Sequence, residues 1–224
     1  MNFHTFKSIA LHFIFSFFLL MSIDLTAKEE ICEKNLKQRV VLGKSDSPIE
    51  IYIVSDWFCR SCKKLEPRLE NLYDKFKNKA AFYFIDYPIN RQSSNFSPYH
   101  LSFLIFEKKN YLKARQALIC LTKENQKPTD SDVEKIAKCN KLNFQELAYE
   151  DISKGIDFFD SIVKKYQINA TPSVIVVNKN NKQFEIFKGG QAKEEAISEA
   201  IDVLEGKAKP KKKSWFKSIF GFSN

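Results

Sequence analysis

The sequence DWFCRSC, residues 56–62, constrains the fold most, because it places a Cys-x-x-Cys pair shortly after the apolar run IEIYIV (49–54). Such a short apolar run, rich in β-branched and aromatic residues, predicts a buried strand. After Cys59 the pattern becomes helical, since apolar residues recur at intervals of three and four, at Leu65, Leu69, Leu72 and Phe76. Pro67 lies inside this helix and predicts a kink. We therefore expect a strand that leads into a helix opened by Cys59.

Further strand patterns surround this unit. One, RVVL (39–42), precedes it, and a third strand, AAFYFIDYP (80–88), follows it. A long helical region at about 96–166 comes next and includes NFQELAYEDISK (143–154). Thr171-Pro172 then precedes the strand SVIVVN, the turn KNNK, the strand QFEIFK and a last helix. If the helical region is left out, the order is parallel strands joined by a helix, then a hairpin and a closing helix. This order predicts an α/β domain.

These features resemble the thioredoxin fold: a strand, aromatic residues, a Cys-x-x-Cys pair that opens a helix, and a late Thr-Pro before a strand. The helical region, with INATPSVIVVN and Gly-Gly before the last helix, is similar to the DsbA-type periplasmic thiol oxidoreductases. The similarity covers residues 38–205. It implies a thioredoxin fold with a helical insertion between the third strand and the cis-proline strand. It also implies thiol–disulfide oxidoreductase activity that needs no cofactor.

The physical chemistry of the pair agrees with this activity. Cys59 would lie at a helix N-terminus, where free N–H groups and the helix dipole favour a thiolate. Arg60 adds a positive charge beside it, and Ser61 and Phe58 complete the surroundings that would tune it. Cys62, one turn further in, is expected to be more buried and to resolve the mixed disulfide.

Other roles follow from the resemblance alone. It implies that Pro172 is cis and that Thr171 and Pro172, together with Trp57, hold a substrate strand. From the residues themselves, Phe58 and Trp57 are expected to supply a flat apolar rim. The chain departs from DsbA at three positions: Arg60-Ser61 replaces Pro-His, Ile53 stands where a buried acid is common, and Thr171 is closer to the disulfide isomerases. The alternatives are therefore an isomerase or reductase, or a secreted peptide-binding module with a static cysteine pair.

Two structural interpretations of Cys59 and Cys62 compete with redox chemistry. A zinc site needs two more ligands, but His4 and His12 lie in the leader and leave only His100. A purely structural Cys59–Cys62 bridge would close too small a loop to stabilise much. We therefore expect no metal. His100 is expected to pack against a helix or lie at the surface, with no partner evident in the sequence.

The remaining cysteines are Cys32, Cys120 and Cys139, so the total of five is odd. Cys120 and Cys139 both fall in the helical region, and a structural disulfide between them is expected to stabilise by about 3 kcal/mol. The alternative is that one of them pairs with Cys32. Otherwise Cys32 is a free thiol near the mature N-terminus.

The two ends of the chain differ from the domain, which we place at residues 28–206. Residues 1–27 have a basic start, a short apolar run and a small residue, as in a secretory signal peptide, with an uncleaved anchor as the alternative. The expected location is the periplasm. The expected partners are reduced or misoxidised exported proteins and a membrane redox protein that resets the pair.

Residues 207–224 form a basic and aromatic tail that carries much of the net charge of +9, so the charge does not favour nucleic acid as a partner. The tail is either a solubilising end or an anchor for an anionic membrane surface.

Overall fold

The structure is a computed structural model that describes residues 35–209 and the backbone of Lys217 and Ser218. The chain divides into two compact units, residues 1–38 and 39–224. In the first unit, residues 35–38 are described and are helical. The expected signal peptide at 1–27, Cys32 and most of the tail at 207–224 lie outside the described residues.

One mixed sheet organises the second unit. Its strands are β1 (Leu42–Gly43), β2 (Ile49–Ser55), β3 (Ala81–Asp86), β4 (Ser173–Asn178), β5 (Gln183–Lys188) and β6 (Lys217–Ser218). They lie in the order β1-β3-β2-β4-β5-β6. Strands β2 and β3 are parallel, and the other neighbours are antiparallel. Every residue of β2, β3 and β4 is buried, which is typical of strands covered on both faces.

Helix α1 (Arg60–Phe76) joins the two parallel strands and buries the predicted apolar stripe. It is helical throughout, including the exposed Pro67. Because parallel strands run in the same direction, the carboxyl ends of β2 and β3 lie at one edge of the sheet, where α1 begins. This edge holds the cysteine pair.

Four helices follow β3, and they form the predicted insertion: α2 (Ser97–Phe106), α3 (Tyr111–Glu124), α4 (Asp130–Cys139) and α5 (Tyr149–Lys165). A capping box on Thr129 and Asp132 starts α4. Helices α2 and α5 pack very closely at Gly155. A Cβ atom added to this glycine would come within 2.4 Å of Leu101 Cδ1. The closing helix is α6 (Glu194–Leu204). The expected fold, with its insertion between the third strand and the proline strand, is confirmed.

Two local predictions were wrong. The strand predicted at 39–42 is reduced to Leu42–Gly43, because residues 39 and 40 are helical. The segment 142–148, predicted to be helical, has no regular structure, and α5 begins only at Tyr149. Side chains at the end of α2 form hydrogen bonds with backbone groups of this segment instead. Glu107 accepts from Asn143 N at 2.7 Å, and Ser102 donates to Gln145 O at 2.5 Å.

Within the described residues, no helix has the length and apolar character that crossing a membrane requires.

Candidate active site

Cys59 occupies the N-cap position of α1. Its φ and ψ are −69° and 118°, in the extended region, and its Sγ accepts a hydrogen bond from Cys62 N at 3.3 Å. A serine or threonine hydroxyl usually satisfies this N–H at a helix start. Here a sulfur does so, and the same N–H groups and dipole that need a cap also stabilise a thiolate.

The local contacts lower the pKa of Cys59. Partial burial acts in the opposite direction and would raise it, but hydrogen bonds from the Cys62 thiol, the Thr171 side chain and the N–H groups of Cys62 and Ser61 together outweigh burial, so the pKa falls below its usual value. The largest lowering contributions are hydrogen bonds rather than the charge of Arg60, whose side chain is exposed.

Cys62 has the opposite properties. It is buried, and desolvation together with the hydrogen bond to Cys59 raises its pKa to about 12. The Asp56 backbone, and after it the side chains of Thr171 and Ser55, act against this rise. Both cysteines are free thiols, so the structure shows the reduced pair. The pKa of the more accessible thiol of the pair is thus lowered, while that of the buried thiol is raised.

The loop before β4 faces Cys59. The Thr171–Pro172 peptide bond is cis, as the resemblance implied. The Thr171 carbonyl oxygen lies 3.6 Å from Cys59 Sγ, and Pro172 is buried. Residues 112 positions apart in sequence therefore meet at the sulfur.

Asp56 organises the turn between β2 and α1, a role that was not predicted from the sequence. Its buried carboxylate accepts five hydrogen bonds of 2.7–2.9 Å, from the N–H groups of Phe58, Cys59 and Asn90, the Asn90 side chain and the Ser93 hydroxyl. The bonds to residues two and three positions ahead form an Asx-turn, a pattern visible as Asp directly after a strand. Asp56 thus fixes the conformation of the turn that leads from β2 to Cys59.

Trp57 is buried, with 3% of its surface exposed, which corrects the prediction that it lies on the substrate-binding rim. Its indole N–H donates to Asp86 Oδ2 at 3.1 Å, so the polar end of the ring turns inward. Phe58, the other aromatic residue predicted on the rim, is half-exposed. Its ring packs edge-on against Phe96 at 5.7 Å, and Lys63 Nζ lies 5.3 Å from its centroid.

A buried polar cluster lies behind Trp57. His100 is fully buried, with Nε2 2.7 Å from the Tyr111 hydroxyl and Nδ1 2.8 Å from Asp86 Oδ1. The second contact is short but poorly aligned for a hydrogen bond. Burial would raise the pKa of Asp86, but His100, Trp57 and Arg115 lower it overall. The partner of His100 was not evident in the sequence because Asp86 and Tyr111 belong to other elements.

Arg115 of α3 is a buried cation that contacts both the cluster and the site. Its guanidinium donates to Glu66 at 2.7–3.1 Å and to Ser55 Oγ at 3.0 Å. It also lies 4.8 Å from the Trp57 ring centroid. Glu66 keeps the pKa of Arg115 well above its usual value despite burial. The insertion therefore supplies a buried arginine, paired with Glu66, beside Ser55 and Trp57.

The predicted Cys120–Cys139 disulfide is not present. Both cysteines are exposed free thiols. Each lies outside the buried stripe of its helix, which is formed by Ala117 and Leu121 on α3 and by Val133 and Ala137 on α4. Spacing alone could not show that these two side chains face solvent.

Among the described residues, no group of three or more His, Cys, Asp or Glu side chains is arranged to hold a metal ion.

Comparison with known proteins identifies the family. A family model described as thioredoxin matches residues 35–202. No curated protein matches the sequence. Pseudomonas aeruginosa DsbA2 is 19% identical with a TM-score of 0.56, over 74% of this chain and 93% of that one. The thiol-disulfide exchange protein α-DsbA2 from Wolbachia pipientis is 16% identical with a TM-score of 0.55, over 80% and 98%. A periplasmic thioredoxin-like protein from Salmonella enterica serovar Typhimurium is 15% identical with a TM-score of 0.54, over 75% and 88%.

Since the family model spans most of the chain, the chain belongs to the thioredoxin family. The similarity to solved structures shows the same fold at low identity. The expected membership of the thioredoxin family is thereby confirmed, and the DsbA-like resemblance is confirmed as a likeness of fold, with the Cys-x-x-Cys pair at Cys59 and Cys62.

Proposed function

We propose that the protein exchanges disulfides with exported proteins through Cys59 and Cys62. The observation that carries this proposal is the contrast within the pair: the pKa of Cys59 is lowered, whereas that of Cys62 is raised to about 12. A low-pKa, accessible sulfur is the one that attacks or is attacked, and a buried neighbour closes or opens the intramolecular bond. A static structural pair has no need of this asymmetry.

The client would bind as an extended segment beside Thr171. The carbonyl oxygen of Thr171 lies next to Cys59 Sγ, and Pro172 follows in the same loop. A client backbone that bonds to Thr171 would bring its own cysteine to Cys59. Phe58 and the exposed Arg60 and Ser61 would border this segment and tune the exchange.

The proposed location is the periplasm, reached through residues 1–27 as a signal peptide. The basic start and short apolar run support export, and one structural relative is described as periplasmic. A compartment without a strong thiol reductant would allow an oxidised Cys59–Cys62 pair to persist. A membrane redox protein would then reset the pair after each exchange.

Trapping of clients tests this function. Cys62→Ala should accumulate mixed disulfides between Cys59 and client proteins in the cell, because the thiol that reopens them is gone. These complexes should disappear on reduction and should be seen on non-reducing gels. Cys59→Ala is the matched control and should trap none.

The reverse pattern would assign the exposed role to Cys62 and contradict the proposal. Absence of trapping in both variants, together with no insulin reduction by the wild-type protein, would favour the peptide-binding module.

A further inference from the structure

Lys63, one turn into α1, carries a positive charge that meets uncharged groups. Its Nζ donates to Thr122 Oγ1 at 2.9 Å and lies 5.3 Å from the centroid of the Phe58 ring. Within residues 35–209, no carboxylate forms an ion pair with this ammonium. Lys63 is half-buried, and a charge that is partly removed from water is usually paired with an opposite one. The ammonium is therefore suited to an anionic partner from outside the chain.

Thr122, on α3 of the insertion, holds this ammonium in place. Its hydroxyl donates to Ile119 O at 2.7 Å, so its oxygen accepts the bond from Lys63. Attraction to the Phe58 ring adds a second contact, and that ring packs edge-on against Phe96. An ammonium has three N–H groups. Within the described part of the chain the bond to Thr122 uses one of them, which leaves two for an incoming acceptor.

The ammonium borders the surface around the accessible sulfur. Residues four positions apart share a face of a helix, and helical side chains lean towards the N-terminus. The side chain of Lys63 accordingly reaches back to Phe58, the residue before Cys59. Cys59 and Lys63 are about 6 Å apart along the helix axis, at a rise of about 1.5 Å per residue.

An extended client segment can present a carboxylate at this separation. Successive residues of a strand are about 3.3 Å apart, and residues i and i+2 face the same side. A residue two positions from the client cysteine therefore lies about 7 Å from it and faces the protein together with it. This distance matches the turn between Cys59 and Lys63. An Asp or Glu carboxylate at this position would accept charge-assisted hydrogen bonds from Lys63 Nζ.

We propose that Lys63, held by Thr122 and Phe58, is a specificity-determining residue that binds an acidic side chain two residues from the client cysteine. This inference rests on the proposed function, because it names the class of client that Cys59 selects. Exported proteins with Asp or Glu at this distance from the exchanging cysteine are then the preferred clients.

Exchange of single peptides at Cys59 tests this preference without requiring turnover. Each synthetic peptide has one cysteine, activated as a disulfide with thionitrobenzoate, and carries Glu, Gln or Lys at both positions two residues away. In the full chain with Cys62→Ala, the Cys59 thiolate attacks the peptide sulfur. The activated S–S bond breaks, its electron pair leaves on thionitrobenzoate, and a peptide–Cys59 disulfide forms.

Timed quenching and peptide mapping by mass spectrometry give the rate at each cysteine. Cys139, an exposed thiol of α4, reports the intrinsic reactivity of each peptide in the same sample. At Cys59 the Glu peptide should react about fivefold faster than the Gln peptide, as expected for one partly exposed ion pair. At Cys139 the two peptides should react at similar rates.

Substitutions of Lys63 separate its charge from its packing. Lys63→Met keeps a side chain of similar length and should reduce the Glu-to-Gln ratio at Cys59 to the value at Cys139. Lys63→Glu should reverse the preference and favour the Lys peptide. Thr122→Val should lower the ratio in part, because Nζ loses its acceptor. Lys64→Met is the matched control: it removes the same charge from an exposed position of the same helix and should leave the ratio nearly unchanged.

Equal rates of the Glu and Gln peptides at Cys59 overturn the proposal. An equal loss of the ratio in Lys63→Met and Lys64→Met also overturns it, because the preference would then follow the overall charge of α1. The proposed function fails separately, if Cys62→Ala traps no clients in the cell. The peptide rates would still decide whether Lys63 selects acidic segments, because an activated peptide reacts with any accessible thiolate.

Discussion

The Sγ atom of Cys59 lies 3.6 Å from the carbonyl oxygen of Thr171, so the more accessible sulfur of the pair faces the backbone of the cis-proline loop. An incoming client strand that pairs with this backbone would be aligned with the sulfur by the same loop. Orientation of this kind lowers the entropic cost of bringing two sulfurs together.

The acidity of Cys59 gives the first prediction. Because its folded pKa is lowered, the reactive thiolate should be present above that lowered value and disappear as pH falls through it. The alkylation profile of Cys59 should therefore lie at lower pH than that of the denatured chain, whose free thiol has a pKa of about 8.5. Cys62→Ala should move the profile towards higher pH, since the Cys62 thiol is the largest contribution that lowers the pKa.

Peptide mass spectrometry after timed alkylation separates Cys59 from the other thiols, and the exposed Cys120 serves as a reference for reagent access. A native profile that coincides with the denatured one would contradict this prediction.

The carboxylate of Asp56 gives the second prediction. Asp56→Ala removes the acceptor of five hydrogen bonds and leaves their donors in a partly buried turn. We expect the free energy of unfolding to fall by about 3 kcal/mol. Urea unfolding of the reduced protein measures this loss. Asp74→Ala is the control, because Asp74 is exposed and accepts a hydrogen bond from Lys77 Nζ at the surface. Equal losses in the two variants would show that Asp56 does not hold the turn.

Features that depend on short segments of the sequence could be predicted, whereas features that depend on contacts between distant residues could not. Helix α1 and strands β2, β3 and β4 were predictable, because apolar periodicity and Gly and Pro positions are properties of short segments. The place of Cys59 at the helix start followed for the same reason. The bounds of the insertion followed from the length of its helical pattern.

The contacts of the buried polar groups behind Trp57 join distant parts of the sequence and were not predicted. Helix α2 is apolar nearly all round, so its pattern does not show which residue faces the sheet. That same pattern is nevertheless typical of a buried helix, and it could have indicated that His100 needs a buried partner. Arg115 was not singled out because its partners, Glu66 and Ser55, lie 49 and 60 residues away. The exposure of Cys120 and Cys139 likewise depended on how α3 and α4 rotate in the packed domain.

The redox potential gives the third prediction. Without histidine between the cysteines, the thiolate lacks a cationic neighbour of fixed geometry, and Arg60 extends into solvent, where its charge is screened. Hydrogen bonds still lower the pKa of Cys59 and favour the reduced form. We expect a potential between about −180 and −250 mV, less oxidising than DsbA at about −120 mV. Equilibration with glutathione buffers measures it. A value above about −150 mV would show that hydrogen bonds alone suffice for a strong oxidant.

The tail gives the last prediction. Residues 207–224 contain six lysines and five large apolar residues, namely Trp215, Phe216, Ile219, Phe220 and Phe222. If the tail binds anionic membrane surfaces, each lysine near the surface contributes about 1 kcal/mol, and salt weakens the binding. Removing residues 207–224 should abolish sedimentation with phosphatidylserine vesicles at low salt and leave insulin reduction in solution unchanged. Replacing the lysines at 211–213 by glutamine should weaken vesicle binding while keeping the aromatic residues. If the full chain does not sediment with these vesicles at low salt, the tail has no membrane role and only a solubilising one.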